Sequence, residues 1–244
     1  MNIVLIGHGK MGKEVESVAA ERGAKILRVL NSNNNIGSMG ITDHALADAD
    51  VCIDFSHPGV VVDNIKAVAG CGKSMVVGTT GWHDHLDVVK ALVEKHKIGL
   101  VHAANFSLGV NLFMQIVHDA SRLIDKYPEY DVALNETHHA GKVDSPSGTA
   151  LALGSIILQT IRRKQQLLTH PAQEPVKSEQ LHITSSRMGH VTGTHQILFD
   201  SESDSLTLIH TAKNRRGFAL GALLAAEWLK GRKGMFTMRD VILG

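Results

Sequence analysis

Two imidazoles and an ammonium group fall within five residues of one another in His138-His139-Ala140-Gly141-Lys142, and a Pro146-Ser147-Gly148-Thr149 turn follows. These types suit proton transfer to an anionic molecule. An imidazole exchanges protons near neutral pH. A lysine ammonium pairs with a carboxylate, and the free N–H groups at a helix start add a further anion cradle. The flanking elements must hold these groups in place. Residues 131–134 upstream read as a strand. Downstream, residues 150–161 repeat apolar side chains at helical spacing, with Leu151, Leu153, Ile156, Ile157 and Ile161 available for one side. The chemistry therefore sits on a strand-to-helix crossing. Ser147 or Thr149 can also cap the helix, a contribution of about 1 kcal/mol, but a cap needs no His-His-x-x-Lys in front of it.

A second constellation lies at the amino terminus. Residues 2–6 form a short apolar strand, and Gly7-His8-Gly9-Lys10-Met11-Gly12 follows at once, leading into a helical segment to about Arg22 and a second strand at residues 25–30. In that setting a G-x-G-x-x-G run points to a dinucleotide: Gly7 for the tight turn, Gly9 for backbone approach to a pyrophosphate, Gly12 for close helix–strand packing. Lys10 could place a cation near a phosphate or be an ordinary solvated residue. The second strand ends in Asn31-Ser32-Asn33-Asn34-Asn35, where NAD-selective folds place a carboxylate and NADP-binding ones often an arginine. This chain has neither. From there to Gly40 the Asn/Ser/Gly composition reads as a loop.

Strands then alternate with helices: strands at residues 51–55, 74–77 and 98–102, helices at 58–69 and 83–96. This pattern predicts a parallel, doubly wound (Rossmann-type) sheet with ligands at its carboxyl edge. Gly7, Gly78-Thr79-Thr80 and Ala103-Ala104-Asn105-Phe106 all fall on that edge. A helix at residues 108–124 leads out of the first domain. Residues 164–178, rich in Gln, Pro and charge, read as a linker or mobile loop, and Arg162-Arg163-Lys164 as a solvated helix end. Residues 181–212 turn strand-like, with residues 196–199 and 206–210 flanking a hairpin turn at Ser201-Glu202-Ser203-Asp204. An apolar helix at residues 218–229 and a short tail at 235–240 close the chain. The expected organisation is α/β: a dinucleotide domain over residues 1–107, with residues 216–244 packing back on it, and a mixed α+β substrate and oligomerisation domain over 108–215.

Composition narrows the function classes. Among 244 residues, 25 Lys and Arg balance 24 Asp and Glu for a formal net charge of +1, so bulk binding of nucleic acid or an anionic membrane is not indicated. Cys52 and Cys71 show no metal-ligand spacing, and no metal is expected. A reduced cytoplasm suits them. No apolar run is long enough to span a bilayer, and the apolar start is too short for a signal peptide.

The stretch Glu136 to Ala150 matches every fixed position of E-x-H-x-x-x-K-x-D-x-P-S-G-T-A, and the chain thereby resembles the 4-hydroxy-tetrahydrodipicolinate reductase (dihydrodipicolinate reductase) family. The resemblance covers nearly the whole chain. The glycine loop, Gly78-Thr79-Thr80-Gly81, Ala104-Asn105-Phe106-Ser107 with Gly109-Val110-Asn111, Arg187-x-Gly189, Gly193-x-His195 and Phe236-x-Met238-Arg239-Asp240 recur at the family's spacing. It departs from the family at Ala133 and Leu134, at Asn31, and in somewhat short loops. What it implies is an NADH- or NADPH-dependent reductase of a small cyclic dicarboxylate in lysine biosynthesis, assembled as a homotetramer. By the same resemblance His138 is the general acid/base and Lys142 a cationic proton donor, while His139, Ser147, Gly148 and Thr149 hold substrate carboxylates. The cofactor contacts are Gly7, His8, Gly9, Lys10, Met11, Gly12, Asn31, Gly78, Thr79, Thr80, Ala103, Ala104, Asn105 and Phe106. Two rival readings use the same dinucleotide domain: another nicotinamide reductase of an imine or carbonyl acid, and a nucleotide-sensing regulator without a reaction.

Overall fold

The computed structural model describes all 244 residues, which divide into two compact units: residues 1–111 with 215–244, and residues 112–214. The first is built on six parallel strands. β1 (Asn2–Ile6), β2 (Lys25–Leu30), β3 (Val51–Asp54), β4 (Ser74–Val77), β5 (Gly99–His102) and β11 (Gly234–Thr237) lie in the order β11-β5-β4-β3-β1-β2. The strand order reverses beside β1, the position at which such sheets open a ligand crevice. Ile3-Val4-Leu5-Ile6, Val51-Cys52-Ile53 and Met75-Val76-Val77 are buried without interruption, because helices cover both faces of a parallel sheet. On one face α1 (Lys10–Glu21) and α7 (Arg216–Trp228) share a core with Ile3, Leu5, Ile53 and Val101. On the other, α3 (Pro58–Gly70) and α4 (Leu86–His96) pack over Val4, Ile6, Cys52 and Met75, with Leu46 of the short α2 (Asp43–Leu46) joining them. Pro58 opens α3, where its missing N–H costs nothing.

The second unit carries a five-stranded mixed sheet, in the order β10-β9-β6-β8-β7. β6 (Asp131–His138) runs parallel to β8 (Gln180–Arg187) and antiparallel to β9 (Thr194–Asp200). β10 (Ser205–Thr211) closes a hairpin with β9, and β7 (Gln166–Leu168) adds a parallel edge to β8. Residues 112–124 of α5 (Leu108–Ile124) and all of α6 (Gly148–Thr160) belong to this unit, and Phe113, Val117, Leu153 and Ile157 meet Leu134, Ile183, Ile197 and Phe199 in its core.

Four expectations change. The segment read as a linker begins with a strand, and Lys164 is buried rather than solvated: its Nζ donates to the Gln180 carbonyl at 2.8 Å and sits 2.6 Å from Asp131 Oδ1. Arg162 alone of its cluster fits the solvated reading, with its side chain 86% exposed. The supposed tail contributes β11 and the capped helix α8 (Met238–Leu243). Most consequential, β6 does not stop at residue 134 but continues through His138.

Candidate functional site

At the edge of the parallel sheet, Gly7 follows β1 with φ +89°, and a Cβ there would lie 2.2 Å from the Phe55 carbonyl oxygen. A Cβ on Gly12 would lie 2.2 Å from the Gly7 oxygen, so neither position admits a side chain. Nothing stands within 4 Å of the space a Gly9 Cβ would take, and Gly9 caps α1 without a side-chain bond. The three glycines thus leave an open backbone cradle at a helix N-terminus, which fits the pyrophosphate of a dinucleotide. A cavity of about 720 Å³ extends from it, lined by Gly7, His8, Gly9, Lys13, Asn31, Ser32 and Asn35 among others. Lys10 lies instead on a separate cavity of about 380 Å³ with Met11, Gly78, Ala104, Phe106 and Arg215. The lysine that lines the cavity with Asn31 is Lys13, one helical turn beyond Lys10, which the glycine motif does not mark.

Asn35, Ser56 and Asn64 line the larger cavity, and a buried polar network backs them. Asp54, at the end of β3, is fully buried and accepts from Ser56 N and Oγ, Thr79 Oγ1 and Asn64 Nδ2. Burial pushes its carboxyl above the usual range despite those donors. The Asn64 carbonyl in turn accepts from Asn35 Nδ2 and Ser38 Oγ, which ties the Asn-rich loop to the Thr79 loop. Asn31 shapes that loop as well, since its Oδ1 accepts from Asn33 N. Thr79 is thus a buried brace, whereas Thr80 beside it is exposed. Ala103 and Asn105 continue from β5, and the Asn105 side chain accepts from Ser107 N.

In the second unit the alternation of β6 directs Val132, Leu134, Glu136 and His138 inward, so that two apolar layers lead into two ionisable ones. The Glu136 side chain has no solvent exposure. Its Oε1 accepts from Ser147 N at 2.9 Å, Ser185 Oγ at 2.8 Å and Arg187 Nη2 at 3.0 Å. Burial alone would raise its pKa, but these donors prevail and hold it at about 2. His138 Nδ1 stands 2.9 Å from Glu136 Oε2, close but out of hydrogen-bonding alignment. His138 is held below the ordinary histidine value, first by burial and then by Lys142 and Arg187, with Glu136 opposing. His195 completes the cluster. Its Nε2 lies 3.2 Å from Ser147 Oγ and 3.8 Å from Glu136 Oε2, and burial together with His138 lowers its pKa to about 4.

Ser147 is 2% exposed, and its Oγ caps α6 by accepting from Ala150 N. Both its backbone N–H and its hydroxyl are thus engaged inside the protein, leaving the helix start at Gly148 and Thr149 as the accessible part of the proposed cradle. Lys142 Nζ, across the turn that its N–H closes onto the His139 carbonyl, lies 2.6 Å from Asp144 Oδ1. Glu136, His138 and His195 offer ligand atoms within 4.8 Å of one another, close enough to share a metal ion. The Arg187 guanidinium on the same carboxylate argues for a proton there instead of a dication. Sequence reasoning gave no role to Glu136, Ser185, Arg187 or His195. Their signal is two-residue spacing on strands, Glu136 with His138 and Ser185 with Arg187, which becomes informative only once the strands are paired.

Two family models match this chain: the dihydrodipicolinate reductase N-terminus over residues 1–106 and its C-terminus over residues 109–242. The 4-hydroxy-tetrahydrodipicolinate reductase of Christiangramia forsetii is 37% identical over 244 residues, covering 99% of this chain and 98% of that one. The enzyme of that name from Methanosarcina mazei is 30% identical over 264 residues, with 99% of each covered. Among solved structures, the dipicolinate-bound dihydrodipicolinate reductase from Paenisporosarcina sp. TG-14 superposes with a TM-score of 0.78 at 25% identity, over 97% of both chains.

Proposed function

This chain belongs to the dihydrodipicolinate reductase family, and from that premise we propose how its residues carry out the NAD(P)H-dependent reduction of 4-hydroxy-tetrahydrodipicolinate on the diaminopimelate route to lysine. The observation that carries the reading is the pairing of a buried, carboxylate-backed imidazole, His138, with a lysine four residues further on and a helix start ten residues further on. A nicotinamide dinucleotide held by its pyrophosphate on the glycine cradle would supply the hydride. Loss of the 4-hydroxyl as water and addition of hydride to the conjugated ring leave an electron-rich enamine, and the adjoining carbon takes a proton. His138 donates that proton and is recharged from solvent. Lys142, His139 and the Gly148-Thr149 helix start anchor the two carboxylates, and the lysine also supports proton delivery.

The cofactor end is read in the same way. Gly7, Gly9 and Gly12 cradle the pyrophosphate, and Asn31 and Lys13 face the adenine ribose. A neutral residue with a nearby cation admits both NADH and NADPH. The assembled form is a homotetramer, working in the cytoplasm. Its basis is the family resemblance together with β7 and β10, two strand edges that a lone unit would have to protect. No helix is long and apolar enough to cross a membrane. The test is a spectrophotometric assay with substrate generated in situ. Cofactor oxidation that depends on the substrate supports the reading, and cofactor binding without turnover removes it. Light scattering that gives a monomer at micromolar concentration would remove the tetramer alone.

A further inference from the structure

Hydrogen-bond counting around Glu136 determines where the proton of His138 resides. Glu136 Oε1 is saturated by Ser147 N, Ser185 Oγ and Arg187 Nη2. Oε2 is buried and has no hydrogen-bond partner, and neither does His138 Nδ1, 2.9 Å away. The other imidazole in reach, His195, cannot serve Oε2. Its Nε2 stands 3.8 Å from Oε2, too far for a hydrogen bond, and 3.2 Å from Ser147 Oγ. His138 Nδ1, 2.9 Å from Oε2 against 3.8 Å for His195 Nε2, is the nearer imidazole nitrogen, and a small turn of the ring brings it into line as a donor only if its proton is on Nδ1. A buried carboxylate oxygen left without a donor is costly, so the arrangement selects this tautomer.

We infer that Glu136 is a positioning residue that keeps the proton of neutral His138 on Nδ1, so that proton exchange with substrate runs through Nε2. The surroundings of Nε2 agree. A Cβ on Gly193 would lie 2.8 Å from it, so only a glycine leaves that nitrogen uncovered on this side. The charged and titratable groups around His138 are Glu136 on its own strand, Lys142 and Asp144 on the following loop, Arg187 on β8 and His195 on β9. Of these only Glu136 presents an unpartnered acceptor to Nδ1. The inference rests on the reading of His138 as proton donor for its consequence, but not for its test.

Glu136→Gln is the discriminating change. Three donors fix the glutamine carbonyl where Oε1 was, so its NH₂ must face His138 Nδ1. The imidazole then has to accept there and carry its proton on Nε2. Nitrogen-15 NMR of histidine-labelled protein, above the pH at which His138 titrates, reads the tautomer directly, and a His138→Asn spectrum assigns the resonances. The expected result is Nδ1–H in wild type and Nε2–H in Glu136→Gln. The alkaline limb of kcat should also move down by about 1–3 pH units as the neighbouring anion is lost, with KM for the dicarboxylate little changed. A purely structural glutamate would move neither tautomer nor pH profile. Wild-type protein with its proton on Nε2, or a variant whose tautomer does not invert, overturns the inference. If the variant does not fold, the wild-type spectrum alone decides. Normal turnover in His138→Gln would instead remove the donor reading and leave the tautomer result standing.

Discussion

Two of the groups proposed to anchor a substrate carboxylate, Lys142 and the Gly148 N–H, already hold one that belongs to the chain. Asp144 Oδ1 lies 2.6 Å from Lys142 Nζ, and the Gly148 N–H also donates to the Asp144 carboxylate. An incoming dicarboxylate must displace it, so replacing Asp144 with asparagine should tighten binding. The magnitude follows from exposure. The Lys142 and Asp144 side chains are 22% and 57% exposed, which makes this a solvent-screened pair worth about 0.2–1 kcal/mol. The asparagine carbonyl still accepts from Gly148, so only the charge pairing is lost. The dissociation constant should therefore fall by about 1.4- to 5-fold, since 1.4 kcal/mol is tenfold. Acid cannot substitute for the mutation, because the Lys142 hydrogen bond holds the Asp144 carboxyl below its usual range. The assay is calorimetric titration of pyridine-2,6-dicarboxylate into protein saturated with reduced cofactor, with Lys142→Ala as the reference for loss of the site. Binding that weakens or stays the same in Asp144→Asn refutes the argument, and would mean that Asp144 steers Lys142 toward the ligand instead of competing with it.

Three further outcomes follow. His138→Gln should lower kcat by about 10²- to 10⁴-fold, the range for loss of a general acid, with cofactor affinity nearly unchanged; near-normal turnover would discard it as the donor. Wild-type kcat/KM should differ by less than about a hundredfold (roughly 2.7 kcal/mol) between NADH and NADPH, and Asn31→Glu should depress use of NADPH selectively. Glu136 also makes acid stability measurable. Its folded pKa of about 2 lies below the ordinary 4.5, so its contribution, on the order of 3 kcal/mol, is complete above pH 4.5 and disappears as pH falls toward 2. Denaturation midpoints followed across that window should slope steeply in wild type and flatten in Glu136→Gln.

Much of this architecture is legible without coordinates, for identifiable reasons. Buried parallel strands are uninterrupted apolar runs, so β1, β3 and β4 stand out, and α5 has a period strong enough to give both of its ends. The failures share a cause as well. β7 and β11 have three and four residues, too few for an alternation to show, and each becomes a strand only because a neighbour, β8 or β5, supplies hydrogen-bond partners. Lys164 reads as solvated because a lysine in a basic run usually is. Its burial depends on a carbonyl and a carboxylate brought from residues 180 and 131. At the cofactor end, the glycine spacing locates the cradle but says nothing of Lys13 or of the Asp54–Asn64 network behind the cavity, whose members are dispersed over the chain.

The proton-transfer cluster shows most clearly what a one-dimensional reading lacks. Glu136 pairs with Ser185 on β8 and with His195 on β9, and His138 pairs with Arg187. Strand register thus brings Glu136 and His138 on β6 together with residues of β8 and β9 far along the chain, and Ser147 joins them from the start of α6. Because side chains alternate, a slip of one residue in β6 would turn Glu136 and His138 outward and bring Asn135 and Thr137 to the buried face. The apolar layers beneath oppose that slip, since Val132 and Leu134 would leave the core with them. The same burial that fixes the register also desolvates Glu136, and a buried carboxylate is tolerable only when its partners are complete. Oε1 has three donors, and Oε2 has His138 Nδ1 2.9 Å away. The chemistry and the packing are therefore one constraint: the core holds the strands in register, the register assembles the donors, and the unmet need of Oε2 orients the imidazole.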